Sequence, residues 1–303
     1  MKPKSDQIDF HAGPSLSRHG NRILHPAMEG SYSQRMGRAQ AKEEALLSFL
    51  ASGEVCTTAE IAGALLYCSK ETARRLMVKL VRRGLLKRDE IQTVGGVIHL
   101  FGLTSLGLAS SLDGHADCPI YEMGRTSSQL LHHHLDTQAV RIVLEDYFDW
   151  ADWIPEKILQ VQECPSDRRG KKYPDGIGVN KDGVKIAVEI ERTIKFGAEW
   201  ETTLVSHWMA MRDGKYSKVI YFTDQLPQLW KQFRIIKEIN LPFIHPIDFQ
   251  KLWQTKFSIF SLSAVRKMAF EGMPDDGINA YVMPESADSK ITPHVVISRN
   301  SLP

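Results

Sequence analysis

The stretch KYPDGIGVNKDGVKIAVEIERTIK, residues 172–195, decides the fold that we expect for the C-terminal part of this chain. At its centre, residues 180–183 (NKDG) suit a type I turn closed by a glycine in the left-handed conformation, a common three-residue hairpin loop. If Asn180 faces Val184 across this loop, the strand register places Asp175 opposite Glu189. The stretch therefore predicts a β-hairpin with an acidic residue on each strand.

Side chains alternate along the second strand of this hairpin, and its two faces differ in chemistry. One face carries Val184, Ile186, Val188 and Ile190. The other face carries Lys185, Ala187, Glu189 and Glu191. With Asp175 this second face gathers three carboxylates, whose mutual repulsion is relieved by a divalent cation such as Mg²⁺ or Mn²⁺. Because such a cation activates water and stabilises charge on a phosphate, Asp175, Glu189 and Glu191 are predicted as metal ligands and catalytic residues. The alternative is a half-exposed strand on which solvent screens the acids.

Helical and strand patterns alternate around the hairpin, as is typical of an α/β domain. We expect helices over residues 127–148, 197–211 and 233–239, and a buried strand over residues 218–222. The first of these helices has a polar stripe along one side, and two of its members, His134 and Glu145, are additional candidates for the site. Exposure of this stripe to solvent is the alternative.

The segment from residue 39 to residue 108 has the pattern of three helices followed by a hairpin. Thr57 and Glu60 have the spacing of a capping box at the start of the second helix, and Ser69 caps the third. Two extended segments, residues 85–93 and 97–103, can pair across Gly95-Gly96. This order resembles the winged helix-turn-helix family, in which the third helix enters the major groove of DNA.

Positive charge is concentrated on the outer face of the third helix and at the start of the hairpin, although the net charge of the chain is only +2. The basic residues are Lys70, Arg74, Arg75, Lys79, Arg82, Arg83, Lys87 and Arg88. A single acid, Glu71, stands against them in this part of the sequence. Because contacts of Lys and Arg with phosphates dominate affinity for double-stranded DNA, these residues are the predicted DNA-binding set. A solvated basic helix face is the alternative.

Length and composition indicate how the chain is divided into domains and where in the cell it acts. A chain of 303 residues indicates about two domains. Four widely spaced cysteines indicate reduced thiols, and the chain shows neither a leader-like N-terminus nor a long apolar run, so we expect a cytoplasmic protein without a membrane segment. The predicted division is a flexible tail (1–38), a DNA-binding domain (39–108), a linker (109–126), a nuclease-like domain (127–265) and a loosely ordered tail (266–303).

The acidic hairpin resembles the motif of the PD-(D/E)XK nuclease superfamily. Pro174-Asp175 matches the first half of that motif and Glu189-Ile190-Glu191 the second, with Glu191 at the position where a lysine is expected. Glu-x-Glu variants occur among restriction enzymes of the superfamily. Lys195, or Lys185 on the same strand face, is then expected to supply the ammonium group that orients water. The expected fold class is α+β, with an N-terminal winged helix-turn-helix followed by an α/β restriction-endonuclease-like domain.

A closer resemblance combines the winged helix with residues 131–135 (LHHHL), 173–175 (YPD) and 189–193 (EIERT). Together these are similar to the replication-relaxation family, which includes MobC-type plasmid mobilisation relaxases. Over residues 41–252 the resemblance implies recognition of a plasmid transfer origin and nicking of one strand with a divalent metal. It assigns metal binding and catalysis to Asp175, Glu189 and Glu191, with Lys195 as a further catalytic residue. It also implies contact with relaxosome or coupling proteins.

Other functions remain open. A tyrosine relaxase requires alternate histidines on a strand, whereas His132 and His134 lie in a helical pattern and diverge by about 200° at ~3.6 residues per turn. Tyr173, beside the motif, is the candidate nucleophile for a covalent intermediate. A restriction-type enzyme would cut both strands. A non-catalytic replication or relaxosome accessory factor, or a regulator, would bind DNA without cutting it, and the missing motif lysine favours this last alternative.

Overall fold

The computed structural model describes residues 31–111, 118–124, 128–163, 171–235, 255–272, 278–281 and 295–297. Its architecture is mixed α and β, which confirms the expected fold class at that level. The N-terminal elements are α1 (Tyr32–Phe49), β1 (Cys56–Thr57), α2 (Ala59–Leu65), α3 (Lys70–Arg82), β2 (Leu86–Thr93), β3 (Gly96–Leu103) and α4 (Ser105–Ala109). The elements that follow are α5 (Ser128–Phe148), β4 (Ala151–Pro155), α6 (Glu156–Gln162), β5 (Gly176–Val179), β6 (Lys185–Ile190), α7 (Gly197–Arg212), β7 (Lys218–Thr223), α8 (Leu226–Ile235), β8 (Phe257–Ser261), α9 (Leu262–Glu271), β9 (Ile278–Tyr281) and β10 (Val295–Ile297).

Helix α1 begins earlier than the sequence pattern indicated. Ser31 caps it, because its hydroxyl accepts a hydrogen bond from the backbone N–H of Gln34 while the Gln34 side chain accepts one from the backbone N–H of Ser31 at 2.8 Å. Such a reciprocal pair satisfies amide groups that a helix start leaves without partners. The prediction of a flexible tail is therefore wrong for residues 32–38, and residues 1–30 lie outside the described part of the chain.

Helix α3 lies where the sequence predicted it. The Ser69 hydroxyl accepts a hydrogen bond from the N–H of Thr72 at 3.2 Å. The inner face is buried through Ala73, Met77 and Leu80, which follow one another at helical spacing. The basic residues lie on the opposite, outer face of α3.

Helix α2 begins one residue later than the expected capping box. Thr58 is its N-cap and accepts a hydrogen bond from the N–H of Ile61 at 3.4 Å. Thr57 belongs to β1 instead, and its hydroxyl donates to the side chain of Gln138 at 2.7 Å. Thr58 is therefore the cap of α2, and the Thr57 hydroxyl contacts a partner on α5.

Strands β2 and β3 form an antiparallel hairpin, and β1 pairs with the other edge of β3. Thr93 pairs with Gly96, so the turn consists of Val94 and Gly95, one residue earlier than the predicted Gly95-Gly96. The Thr93 hydroxyl donates to the carbonyl of Gly96 at 2.8 Å and closes the turn.

Part of the region predicted to be a linker packs on this small sheet. Cys118 and Tyr121 are buried, and the Tyr121 hydroxyl donates to Asp89 of β2 at 2.7 Å. A Cβ added to Gly102 would lie 2.1 Å from the Tyr121 ring, so glycine leaves the space that the ring occupies. This part of the chain is therefore packed rather than free, while residues 112–117 and 125–127 lie outside the described residues.

The second sheet has seven strands in the order β10-β9-β8-β7-β6-β5-β4. Strands β6, β7 and β8 run parallel, and their other neighbours pair antiparallel. The β5–β6 hairpin closes as predicted, because the N–H of Asn180 donates to the carbonyl of Val184 at 3.0 Å and Gly183 has a φ of 76°. Glycine adopts this positive φ at low cost because it has no Cβ.

Two layers of helices cover this sheet. Ile186 of β6 belongs to the same buried cluster as Val140 of α5 and Val265 of α9. Its neighbour Ala187 belongs to the opposite cluster, which includes Trp200 of α7. The predicted alternation of β6 is thus confirmed, with Glu189 on the same side as Ala187 and α7.

The C-terminal region is more structured than the predicted loose tail over residues 266–303. Residues 262–271 form α9, which the Ser261 hydroxyl caps by accepting from the N–H of Ala264 at 3.2 Å. Met268 and Ala269 of this helix are buried. Strands β9 and β10 extend the large sheet, so the prediction of a tail is wrong for these elements.

A buried polar network joins α5 to the N-terminal unit. The side chain of Gln138 accepts from Thr57 and donates to the carbonyl of Cys56, both at 2.7 Å. Arg141 donates to Glu54 at 3.0 Å. The polar stripe of α5 is therefore buried rather than solvated, because its groups find partners in the N-terminal unit.

Within the described residues, no helix combines the length and the apolar character that crossing a membrane requires.

Candidate active site and basic surface

Two acids of the predicted hairpin, Asp175 and Glu189, line a pocket of about 500 Å³. The pocket lies where the β5–β6 hairpin meets α5 and the start of α6. Its lining includes His133, Glu156, Lys172, Asp175, Glu189 and Lys195. Three of the four predicted catalytic residues therefore share one cavity.

Asp175 and Glu189 lie opposite each other, as predicted. Gly176 pairs with Val188, and the same register continued by one residue joins Asp175 to Glu189. Both residues line the pocket. The local turn and the strand alternation were sufficient to place them together.

Both oxygens of the Asp175 carboxylate are held in place. The backbone N–H of Ile190 donates to Oδ2 at 2.6 Å, and Nε2 of His133 lies 2.8 Å from Oδ1. Burial alone would lower the pKa of His133, but the Asp175 carboxylate outweighs it and the pKa is raised. Nε2 of His133 therefore donates its hydrogen bond to the Asp175 carboxylate.

Glu189 is 3% exposed and lies between the pocket and the core. Lys172 Nζ donates to its Oε2 at 2.9 Å. Its Oε1 lies 3.2 Å from Nε2 of His207 but makes no hydrogen bond. Burial would raise the pKa of Glu189, yet the nearby ammonium group of Lys172 and the imidazole of His207 outweigh burial and hold the pKa low. The carboxylate is therefore ionised at neutral pH.

Glu191 does not line the pocket, although the sequence placed it there. Strand β6 ends at Ile190, and the Glu191 carboxylate accepts a hydrogen bond from Lys195 Nζ at 2.8 Å. Burial raises the pKa of Glu191, and Lys195 opposes that effect. The expected group of three carboxylates is thus reduced to Asp175 and Glu189, because Glu191 is turned toward Lys195.

Glu156 supplies a third acid that the sequence did not indicate. Its backbone N–H donates to the carbonyl of Asp175 at 3.1 Å, and its carboxyl accepts from Gln160 at 2.8 Å. Burial, followed by the charges of Asp175 and Glu189, raises the pKa of Glu156 to about 7. An acid after a proline at a helix start is common, so no local signal marked this residue.

The ammonium groups near the pocket differ from the expected ones. Lys195 lines the pocket, whereas Lys185 is exposed beside the hairpin loop and does not. Lys172 was not predicted, yet it contacts Glu189 directly. It stands three residues before Asp175 and 17 residues before Glu189 in the chain.

The donors of the pocket suit a hard divalent cation in kind. Among the described residues, no three His, Cys, Asp or Glu side chains lie close enough in their present positions to hold a metal ion. Carboxylate oxygens are nevertheless the ligands that Mg²⁺ and Mn²⁺ prefer, and Glu189 Oε1 is buried without a hydrogen bond. Asp175 and Glu189 are therefore of the right chemistry for such a cation, and His133 and Lys172 now hold one oxygen of each carboxylate.

The two additional candidates on α5, His134 and Glu145, lie away from the pocket. His134 Nε2 donates to the carbonyl of Cys56 at 3.1 Å, and burial lowers the His134 pKa. Glu145 accepts from Arg141 at 2.8 Å. Both belong to the junction with the N-terminal unit, whereas His133, which the sequence did not single out, reaches the pocket.

The predicted DNA-binding residues lie together on α3 and at the start of the β2–β3 hairpin. The side chains of Lys70, Arg75 and Lys79 are 68%, 76% and 56% exposed. Lys87 is half-buried, and its Nζ lies 5.7 Å from the centre of the Tyr121 ring. The basic surface of α3 is thus open to solvent.

Acids neutralise more of this surface than the local sequence indicated. Glu43 of α1 pairs with both Lys79 and Arg83, although it precedes Lys79 by 36 residues. The other ion pairs are Glu71 with Arg74 and Arg75, Glu60 with Lys70, and Glu90 with Arg88. The expectation of a single opposing acid, Glu71, is therefore wrong.

Comparisons of the chain with family models, with characterised proteins and with solved structures give no match. The function is therefore inferred from the pocket and from the basic surface. Helix α5 links the pocket to β1 of the N-terminal unit, because its consecutive residues His133 and His134 contact Asp175 and the carbonyl of Cys56, respectively.

Proposed function

We propose that this chain binds double-stranded DNA through α3 and the β2–β3 hairpin and nicks one strand with the help of a divalent cation. The observation that carries the proposal is the placement of Asp175 opposite Glu189 in a pocket that also contains Lys172. Paired carboxylates provide ligands for Mg²⁺ or Mn²⁺, and an adjacent ammonium group provides positive charge for a phosphate. Both assist hydrolysis of a phosphodiester by stabilising charge on the phosphate.

The N-terminal unit supports the DNA-binding part of the proposal. Helices α2 and α3 followed by the β2–β3 hairpin have the element order of a winged helix-turn-helix, and the outer face of α3 is basic. We expect charge reversal at Arg74 and Arg75, tested in a duplex-binding assay, to lower affinity for DNA strongly. Unchanged affinity would exclude α3 as the DNA-contacting helix.

The residues of the pocket have distinct tasks in the proposed reaction. Asp175 and Glu189 would hold the cation, which when bound stabilises charge on the phosphate and activates water. The N–H of Ile190 and the ring of His133 fix the Asp175 carboxylate in one orientation before substrate binds. Glu156, whose pKa is about 7 in the metal-free pocket, is the acid there that is able to hold a proton at neutral pH before the cation binds.

The resemblance to the replication-relaxation family narrows the proposed substrate to a plasmid transfer origin. Under this proposal the partners are the relaxosome or coupling proteins that act at the same origin. The order of α5, the β5–β6 hairpin, α7 and β7 agrees with that of a PD-(D/E)XK core. Glu191 in place of the motif lysine is the departure from the superfamily pattern.

The test uses supercoiled plasmid that carries the non-coding DNA adjacent to the gene, incubated with Mg²⁺ or Mn²⁺. Open-circular product is expected from the wild-type protein and not from Glu189→Ala. Lys185→Ala, an exposed change on the same hairpin, serves as the active control. Linear product would indicate a restriction-type enzyme, and no product from the wild type would refute the nicking proposal.

Tyr173 allows hydrolysis by water to be distinguished from attack by a tyrosine that forms a covalent protein–DNA intermediate. Its hydroxyl donates to Glu163 at 2.6 Å, which ties it to the end of α6. We therefore favour hydrolysis by water and expect Tyr173→Phe to nick DNA. Protein that stays attached to the nicked strand after denaturation, and is lost in Tyr173→Phe, would instead establish a covalent intermediate.

A second candidate function is DNA binding without catalysis, as in a replication accessory factor or a regulator. It is favoured by the pairing of Glu189 with Lys172, of Glu191 with Lys195 and of Asp175 with His133, since these pairs already compensate the acids. This function predicts specific binding to the same DNA and no cleavage with either cation.

A further inference from the structure

Lys172 places its ammonium group within hydrogen-bond distance of a pocket carboxylate. Its Nζ lies 2.9 Å from Oε2 of Glu189, and its side chain is 25% exposed. The ammonium group is therefore partly withdrawn from solvent while it remains at the wall of the cavity.

The neighbours of Lys172 fix the direction in which it points. Lys171 Nζ and the Tyr173 hydroxyl both donate to Glu163, at 2.9 and 2.6 Å, and Lys215 donates to the same carboxylate at 2.8 Å. These donors lower the pKa of Glu163 to about 2, so the anchor is ionised at neutral pH. Because side chains alternate in an extended chain, anchoring the residues on both sides turns Lys172 the other way, toward Glu189.

The other lysines near the hairpin are less well placed. Lys195 also lines the pocket, but its Nζ donates at 2.8 Å to Glu191, which lies outside the lining. Lys185 is exposed at the far end of β6. Lys172 is thus the lysine whose partner is itself a pocket carboxylate.

We propose that Lys172 contacts the phosphate of the DNA strand that enters this pocket and supplies the ammonium group that is missing at Glu191. This inference rests on the proposed function. An ammonium group has three donors, so Nζ is able to keep its hydrogen bond to Glu189 and donate to a phosphate oxygen as well. In a partly buried pocket such a contact is stronger than the same contact in water.

The first experiment compares single-turnover nicking by the full-length protein and its variants. Lys172→Met is expected to slow nicking by about 10²-fold, and Lys172→Arg, which keeps the charge, is expected to recover part of the rate. Lys185→Met is the matched control and retains the wild-type rate. Equal rates for Lys172→Met and the wild type would overturn the inference. So would a loss seen in Lys195→Met and not in Lys172→Met.

The second experiment measures DNA binding without metal and so does not depend on catalysis. In Glu189→Gln the buried carboxylate is neutral, so the further change Lys172→Met does not leave a buried carboxylate without its lysine partner. The affinity of Glu189→Gln and of Glu189→Gln/Lys172→Met for a duplex of the adjacent DNA is measured in EDTA from about 50 to about 200 mM salt. Loss of one phosphate contact reduces the slope of log K against log[salt] by about 0.9. An identical slope for both proteins would overturn the inference.

The two experiments separate failure of the inference from failure of the proposed function. If the wild-type protein does not nick DNA with Mg²⁺ or with Mn²⁺, the proposed function is refuted. The salt dependence of DNA binding then still tests whether Lys172 contacts a phosphate. A wild-type protein that nicks, together with an equally active Lys172→Met, refutes only the inference.

Discussion

The guanidinium group of Arg141 donates a 3.0 Å hydrogen bond to the carboxylate of Glu54, and both side chains are buried between α5 and the π-helical segment Leu50–Glu54 that follows α1. The same guanidinium group donates to Glu145 at 2.8 Å and lies 4.7 Å from the centre of the Phe49 ring. Two parts of the chain separated by 87 residues therefore meet through a buried ion pair.

Removing one partner of this pair is expected to destabilise the whole protein. Glu54→Ala leaves the Arg141 charge buried with Glu145 as its remaining acid partner, which costs about 3 kcal/mol of unfolding free energy. Urea unfolding at neutral pH measures the effect. Glu44→Ala, at an exposed position of α1, is the control and should be nearly neutral. Equal stability of Glu54→Ala and the control would mean that the ion pair does not hold the junction.

Glu43 is expected to limit the affinity of the basic surface for DNA. Its side chain is 13% exposed and pairs with Lys79 and Arg83, so neutralising it frees both cations for phosphate contacts. Glu43→Gln should bind duplex DNA roughly fivefold more tightly at low salt, and the gain should shrink as salt rises. Glu44→Gln removes the same charge from α1 without releasing this pair. A gain of equal size in both variants would assign the effect to net charge rather than to Glu43.

Glu156 should give the metal-free protein a characteristic dependence of stability on pH. Its pKa is 4.5 in the absence of the fold and about 7 in the folded protein, because burial and the nearby acids disfavour the ionised form. The folded state thus binds the proton more tightly. The stabilising contribution is complete below about pH 4.5 and is lost as the pH rises to about 7.

Glu156→Gln does not titrate and should remove this dependence. Relative to the wild type, the variant should gain at most about 3 kcal/mol between about pH 5 and about pH 8. Denaturant unfolding in EDTA at both pH values measures the change. A difference between the two proteins that is the same at both values would show that Glu156 titrates normally in the fold.

Gly176 is expected to be irreplaceable at the start of β5. A Cβ at this position would lie 2.2 Å from the buried indole ring of Trp153, and Gly176 directly follows Asp175. Gly176→Ala should therefore displace the strand, lower stability by about 1–3 kcal/mol and impair nicking. Gly95→Ala, whose nearest contact would be 3.9 Å away, is the control for thermal unfolding. Unchanged melting and activity of Gly176→Ala would mean that Trp153 moves aside without cost.

Features that depend on neighbouring residues were predictable from the sequence. The loop at residues 180–183 and the alternation of β6 together determine that Asp175 faces Glu189. Likewise, Ser69 and the spacing of the apolar residues determine α3 and leave its basic face outside. In each case a few adjacent residues carry the whole signal.

Features that depend on contacts between distant segments were not predictable. Glu43 reaches Lys79 only because α1 and α3 pack together, and Lys172 reaches Glu189 only after the chain turns back through the hairpin. A polar stripe on a helix has the same pattern whether it meets solvent or a polar partner. For this reason the sequence left the burial of the α5 stripe open, and the contact of His133 with Asp175 was missed.

If the proposed function holds, the network between α5 and the N-terminal unit has a consequence for where DNA is cut. The side chain of Gln138 and the guanidinium group of Arg141 lose buried hydrogen bonds if α5 rotates relative to β1, so rotation carries a high energetic cost. The same helix also contacts the pocket, because His133 donates to Asp175. Under the proposed function, α5 holds the pocket at a fixed distance from the DNA-binding unit. The number of base pairs between the recognised sequence and the nick is then constant.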